Sequence, residues 1–134
     1  TVVQGDVTSI RSDLADDWGV ITVAAPAGIA PLDLRANVAA PIAGERAFIL
    51  QHPDGDPKRL GFIRNRIVSV ADRRMHYLTD TKRGSSGSPV FDARGRFIAL
   101  HRAGGTPQRL VGADPVKKNE GVRLDVITAT VTRP

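Results

Sequence analysis

With 134 residues, 41% hydrophobic and 25% charged, the chain can bury one ordinary core, lies in the single-domain range and is unlike a disordered sequence. It has no cysteine, which excludes a disulfide framework and a thiolate metal site, and no apolar run approaches the ~18 residues of a membrane-spanning helix. Nineteen Lys and Arg against 14 Asp and Glu give +5, but they are spread along the chain with few aromatics beside them, which favours a solvated basic surface over a nucleic-acid partner.

Thirteen Gly and nine Pro, scattered without period, punctuate short apolar runs and predict an all-β chain. Residues 1–10 and 17–24 read as strands around the polar stretch Arg11 to Asp16, and residues 25–45, rich in Ala and Pro, as an extended connection. From Arg46 onward strand-sized units follow closely: Ala47 to Leu50, a turn from His52 to Pro57, Leu60 to Val70, then Met75 to Thr79. Val90-Phe91 and Phe97 to Leu100 flank Asp92-Ala93-Arg94-Gly95, which suits a tight hairpin on a type I turn. A polar loop is expected from Gly104-Gly105 to about Asn119. Apolar positions 122, 124, 126 and 127 then fit a last strand or a short helix, read here as strand passing into helix. The chain opens at Thr1 without Met or leader, so Thr1 reads as a processed end or an artificial boundary, and the compartment stays open.

The chemistry concentrates in Gly84-Ser85-Ser86-Gly87-Ser88-Pro89. A serine hydroxyl is a poor nucleophile at neutral pH; it needs a base to take its proton and backbone N–H donors aimed at the oxyanion formed on attack. Glycine at 84 lets the backbone turn an N–H toward a substrate, the N–H of Ser86 completes the hole, and Gly87 leaves room for the carbonyl. Taken alone the motif is weak, because turns are full of Gly and Ser.

Its surroundings are specific. Thr79 to Phe91, followed by a hairpin and Ile98-Ala99-Leu100-His101-Arg102-Ala103-Gly104-Gly105, closely resembles the nucleophile segment of chymotrypsin-like serine peptidases, nearest to their bacterial trypsin-like and glutamyl endopeptidase branch. Ile49-Leu50-Gln51-His52-Pro53 and Asn119-Glu120-Gly121-Val122-Arg123 extend the likeness over roughly residues 14 to 127. The resemblance implies a chymotrypsin-like double β-barrel: residues 1–30 would be the last strands of the first barrel, 31–45 the inter-barrel connection, and 46–134 the second barrel with nucleophile, S1 pocket and a short C-terminal helix. It implies an endopeptidase acting on polypeptides through a Ser86 acyl-enzyme, with Gly84 and Ser86 as oxyanion hole and no metal or cofactor. Asp17-Trp18-Gly19-Val20-Ile21-Thr22-Val23 looks like the segment whose Asp orients the catalytic imidazole; Asp16 and Asp13 compete for that role.

The departure from the pattern is the base. The family carries its His before this Asp, whereas His52, His76 and His101 all follow it. Either the base is supplied by an N-terminal segment of the same protein outside this chain, or the protein is a peptide-binding pseudo-peptidase. Substrate choice is divided as well. By family counting Asp80 lies at the S1 floor and would select Lys or Arg, while Thr81 and His101 resemble the residues that grip an acidic P1 side chain in glutamyl endopeptidases. Lys82, Arg83 and Arg102 would add an attractive field for an acid, and Arg102-Ala103-Gly104 would pair with an extended peptide.

Overall fold

The computed structural model describes residues 2–108 and 116–131. Two antiparallel sheets account for most of it. The smaller is a hairpin of β1 (Gly5–Asp13) and β2 (Trp18–Val23), joined by a turn in which the Asp13 carboxylate accepts the backbone N–H groups of Ala15 and Asp16 at 2.9 and 3.0 Å. This is the local bonding by which Asp stabilises turns. The hairpin carries Val7, Ile10, Ile21 and Val23 largely exposed. The connection that follows is not wholly extended: α1 (Leu34–Asn37) forms a single turn, capped by the Asp33 carboxylate on the N–H of Arg35 at 2.9 Å.

The larger sheet has seven strands in the order β4 (Arg59–Gly61), β3 (Ala47–Gln51), β7 (Pro89–Asp92), β8 (Phe97–Gln108), β9 (Val116–Arg123), β6 (Arg74–Tyr77) and β5 (Ile67–Val70), each antiparallel to its neighbour. The edge strand β5 returns toward β3. Ile67 N–H donates to Glu45 O and Gly44 N–H to Ile67 O, both at 2.8 Å, which curls the sheet into a chymotrypsin-like barrel wall. Alternation supplies its filling: Ala47 and Ile49 of β3, Met75 and Tyr77 of β6, and Ile98 of β8 are buried inside.

The strand from Phe97 runs on to Gln108 and β9 begins at Val116, so the polar loop expected between Gly104 and Asn119 is largely strand; residues 109–115 lie outside the described residues. Glycine and charge in that stretch disguised a long β8–β9 pairing whose register shifts twice, between His101 and Ala103 and between Gly104 and Pro107. The Asp92 turn forms as expected, with Gly95 N–H donating to Asp92 O at 3.0 Å. After β9, α2 (Leu124–Val131) packs Leu124 and Ile127 with Trp18, Phe97 and Val122 into a second cluster, and Arg11 of β1 donates to the Val131 carbonyl at 2.8 Å. The hairpin is thereby fixed against the large sheet.

Candidate active site

Between β6 and β7 the chain makes a loop pinned to β8. Gly87 N–H donates to His101 O at 2.8 Å, and His101 N–H to Ser88 O at 2.9 Å. Gly84 and Gly87 both take left-handed backbone, φ +86° and +81°, where a Cβ is disfavoured. The two neighbouring serines part ways here. Ser85 is buried and donates to Gln51 Oε1 at 2.6 Å, and Gln51 in turn donates to the Asp80 carbonyl at 3.1 Å. Ser86 is exposed, with Oγ donating weakly to the Arg102 carbonyl at 3.2 Å.

The amides of the loop divide in the same way. Those of Ser85, Gly87 and Ser88 are bonded to carbonyls, whereas those of Gly84 and Ser86 have no acceptor among the described residues. Two unbonded donors flanking an accessible hydroxyl are what an oxyanion-stabilising site requires.

Three cavities meet at Ser86. One, of about 600 Å³, is lined by Leu78 to Gly84 together with Arg64, His101, Gly104, Lys117 and Asn119. A second, of about 450 Å³, is lined by Asp17, Trp18 and Gly19 together with Ser86, Gly87, His101 and Arg102. A third, of about 390 Å³, is bounded by Leu50, His52, Lys58 and Gly84. Asp17 and Ser86 therefore line one open slot, which Arg102 lines as well. Asp16 is buried one position earlier and bonded to Arg73 and Arg74, with the Arg73 hydrogen bond lowering its pKa despite burial, and Asp13 is engaged in the turn. Asp17 itself has φ +58°, a left-handed conformation uncommon outside glycine.

The 600 Å³ cavity is electropositive: its lining carries Arg64, Lys82, Arg83 and Lys117 against one carboxylate, Asp80. Asp80 is not a buried floor. Its side chain is 56% exposed and 4.0 Å from Arg64, while Lys82 is 3.3 Å from Asp54. Thr81 is half-buried and donates to Asn119 Oδ1 at 2.8 Å; Asn119 is buried and donates to the Thr79 carbonyl at 2.5 Å. His101 is buried with Nδ1 2.7 Å from the Tyr77 hydroxyl. Burial lowers its pKa to about 4, so the ring is neutral at pH 7. Tyr77 is fully enclosed, and its O–H finds an acceptor only if it donates to Nδ1; the ring proton then sits on Nε2, which has no protein partner among the described residues. Gly104 lines this cavity, but the Arg102 side chain turns instead to Asp17 and Glu120, at 3.0 and 2.8 Å.

Neither His52 nor His76 bonds Ser86. His52 Nδ1 lies 3.1 Å from the Asp56 carbonyl, and His76 sits between Ser69 and Glu120. Among the described residues, no three His, Asp or Glu side chains gather as metal ligands. Asn119, Tyr77 and the buried pair Gln51 and Ser85 support the site without having been singled out for it. Asn119, Gln51 and Ser85 lie in the segments that carry the family resemblance, but nothing in those segments marks their bonds. Tyr77 and Gln51 alternate with apolar neighbours like any core residue.

The family model described as "Trypsin-like peptidase domain" matches residues 1–100, a stretch that includes both Asp17 and Ser86. Uncharacterized protein y4fB of Sinorhizobium fredii is 29% identical across 95% of this chain and 25% of its own length. Secreted RxLR effector protein 73 of Plasmopara viticola is 31% identical across 60% of this chain and 22% of its own length. The chain thus spans about a quarter of the curated relatives it matches.

Proposed function

We propose, since this chain belongs to the trypsin-like peptidase domain family, that it carries the nucleophile, oxyanion hole and S1 pocket of a serine endopeptidase whose base is a histidine N-terminal to Thr1. The observation that carries the reading is the slot that Asp17 and Ser86 both line, in a loop whose Gly84 and Ser86 amides have no acceptor among the described residues. An imidazole in that slot would accept the Ser86 proton as Oγ attacks the scissile carbonyl, with Asp17 holding its tautomer. The proton passes to the leaving amine as the C–N bond breaks, and water then hydrolyses the acyl-enzyme. In this reading residues 1–30 end a first barrel, 31–45 connect, and 46–134 form the second. The apolar faces of the β1–β2 hairpin favour an added segment, because open strand edges and exposed Val and Ile call for cover.

For P1 the pocket favours Glu or Asp, the preference of the glutamyl endopeptidase branch. Its four cations outnumber Asp80, which Arg64 offsets, and a neutral His101 offers Nε2–H to a carboxylate that Thr81 also lines. Fluorophosphonate treatment of the protein including its N-terminal segment tests the mechanism: Ser86 is labelled, and Ser86→Ala abolishes the label. A folded protein that stays unlabelled but binds peptide is a pseudo-peptidase, and the proposal fails. In a peptide library, cleavage after Lys or Arg in preference to Glu or Asp refutes the pocket assignment alone.

A further inference from the structure

One side chain bridges the two halves of the site. Arg102 of β8 donates from Nε to Asp17 Oδ2 at 3.0 Å and from Nη1 to Glu120 Oε1 at 2.8 Å, while its carbonyl accepts from Ser86 Oγ. Glu120 of β9 is held in turn by β6: His76 Nε2 lies 3.2 Å from Oε2 and Arg74 Nε 3.6 Å from Oε1. Arg74 reaches on to Asp16, beside Asp17, where Arg73 also binds. Asp17 sits on an exposed turn in an uncommon backbone conformation, so packing alone does not fix its carboxylate. Its Oδ1 has no bond among the described residues and stays available to an imidazole in the slot.

We propose that Arg102 is a positioning residue that clamps the Asp17 carboxylate to the strand carrying the S1 wall, with Glu120 as its anchor. This rests on the peptidase reading. A forked guanidinium bound by two carboxylates is a rigid linker, unlike a single lysine contact. It also places a cation beside the orienting aspartate, which opposes protonation of the imidazole. The base then stays neutral, and able to accept the Ser86 proton, to lower pH than an unclamped aspartate would allow.

Arg102→Met removes fork and cation together, Arg102→Lys restores the charge without the fork, and Glu120→Gln weakens the anchor. In the protein with its N-terminal segment, Arg102→Met should lower kcat at least ten-fold with little change in KM, as loss of transition-state positioning does. The acid limb of kcat/KM should move up by about half a pH unit, the scale of one cation at a partly exposed site. Arg102→Lys should recover the limb but only part of kcat. A stability cycle over Asp17→Asn and Arg102→Met, read by urea unfolding, should be non-additive. A labelled, active wild type whose acid limb is unmoved in Arg102→Met overturns this proposal and leaves the peptidase reading intact. An additive cycle also overturns it, as does faster turnover in Arg102→Met, which would make Arg102 a latch on Asp17. A wild type that no fluorophosphonate labels removes both readings.

Discussion

His101→Gln tests the neutral, buried histidine on which the S1 assignment depends. In the folded chain burial lowers the His101 pKa from an ordinary 6.5 to about 4. A proton taken up by the unfolded chain near pH 6.5 is therefore refused by the folded chain until about pH 4. Between those values the unfolded state binds more protons, so stability falls as pH falls; below about pH 4 both states are charged and the loss is complete. At about 1.4 kcal/mol per pH unit, the drop from 6.5 to about 4 amounts to about 3 kcal/mol. Urea unfolding between pH 7.5 and 4 should show this slope in the wild type. His101→Gln should be less stable at pH 7, having disturbed the Tyr77 hydroxyl, yet flatter across the acid range by about the same ~3 kcal/mol. An NMR titration gives a direct check on the imidazole itself. If the His101 resonance titrates near 6.5, or if the variant keeps the full wild-type slope, the neutral-donor argument is wrong.

The two serines should separate cleanly. Ser85→Ala leaves Gln51 Oε1 buried without its donor and should cost about 1–3 kcal/mol in urea unfolding, whereas Ser86→Ala should stay within about 0.5 kcal/mol of wild type while losing all fluorophosphonate label. Gly84→Ala forces a side chain into φ +86° with its Cβ 3.4 Å from the His52 carbonyl; about 1–2 kcal/mol of strain and a fall in kcat of roughly 10²–10³ are expected, and unchanged kcat would mean that the Gly84 amide is no oxyanion donor.

Much of this architecture is legible before any coordinates. Short apolar runs mark β3, β6 and β7, the Asp92 to Gly95 turn announces its hairpin, and Ser86 stands out by its glycines. Contacts between residues distant in sequence stayed hidden. The outer part of the β8–β9 pairing, from Gly104 to Asn119, looks like loop in the sequence because charged and glycine-rich strands lack the alternation that reveals a buried face. The partners of Asp16 lie 57 and 58 positions away, and those of Asp17 and Thr81 lie 85 and 38 away, distances at which composition carries no signal. The one-turn α1 in the connection is hidden for a different reason. It is a helix too short for periodicity to show, and Asp33 as its cap is its one local mark.

The Ser85–Gln51–Asp80 chain of hydrogen bonds has a mechanical consequence. It ties the loop bearing the nucleophile to the segment that walls the 600 Å³ cavity, through a side chain rooted in β3 of the barrel. Pocket and nucleophile therefore shift together: backbone changes near Asp80 made to alter substrate choice will also displace Ser86. Selectivity and turnover are best redesigned in this protein at Lys117, where no bond to Ser85 is crossed, and not at Asn119, whose bonds to Thr79 and Thr81 tie it to the Asp80 segment.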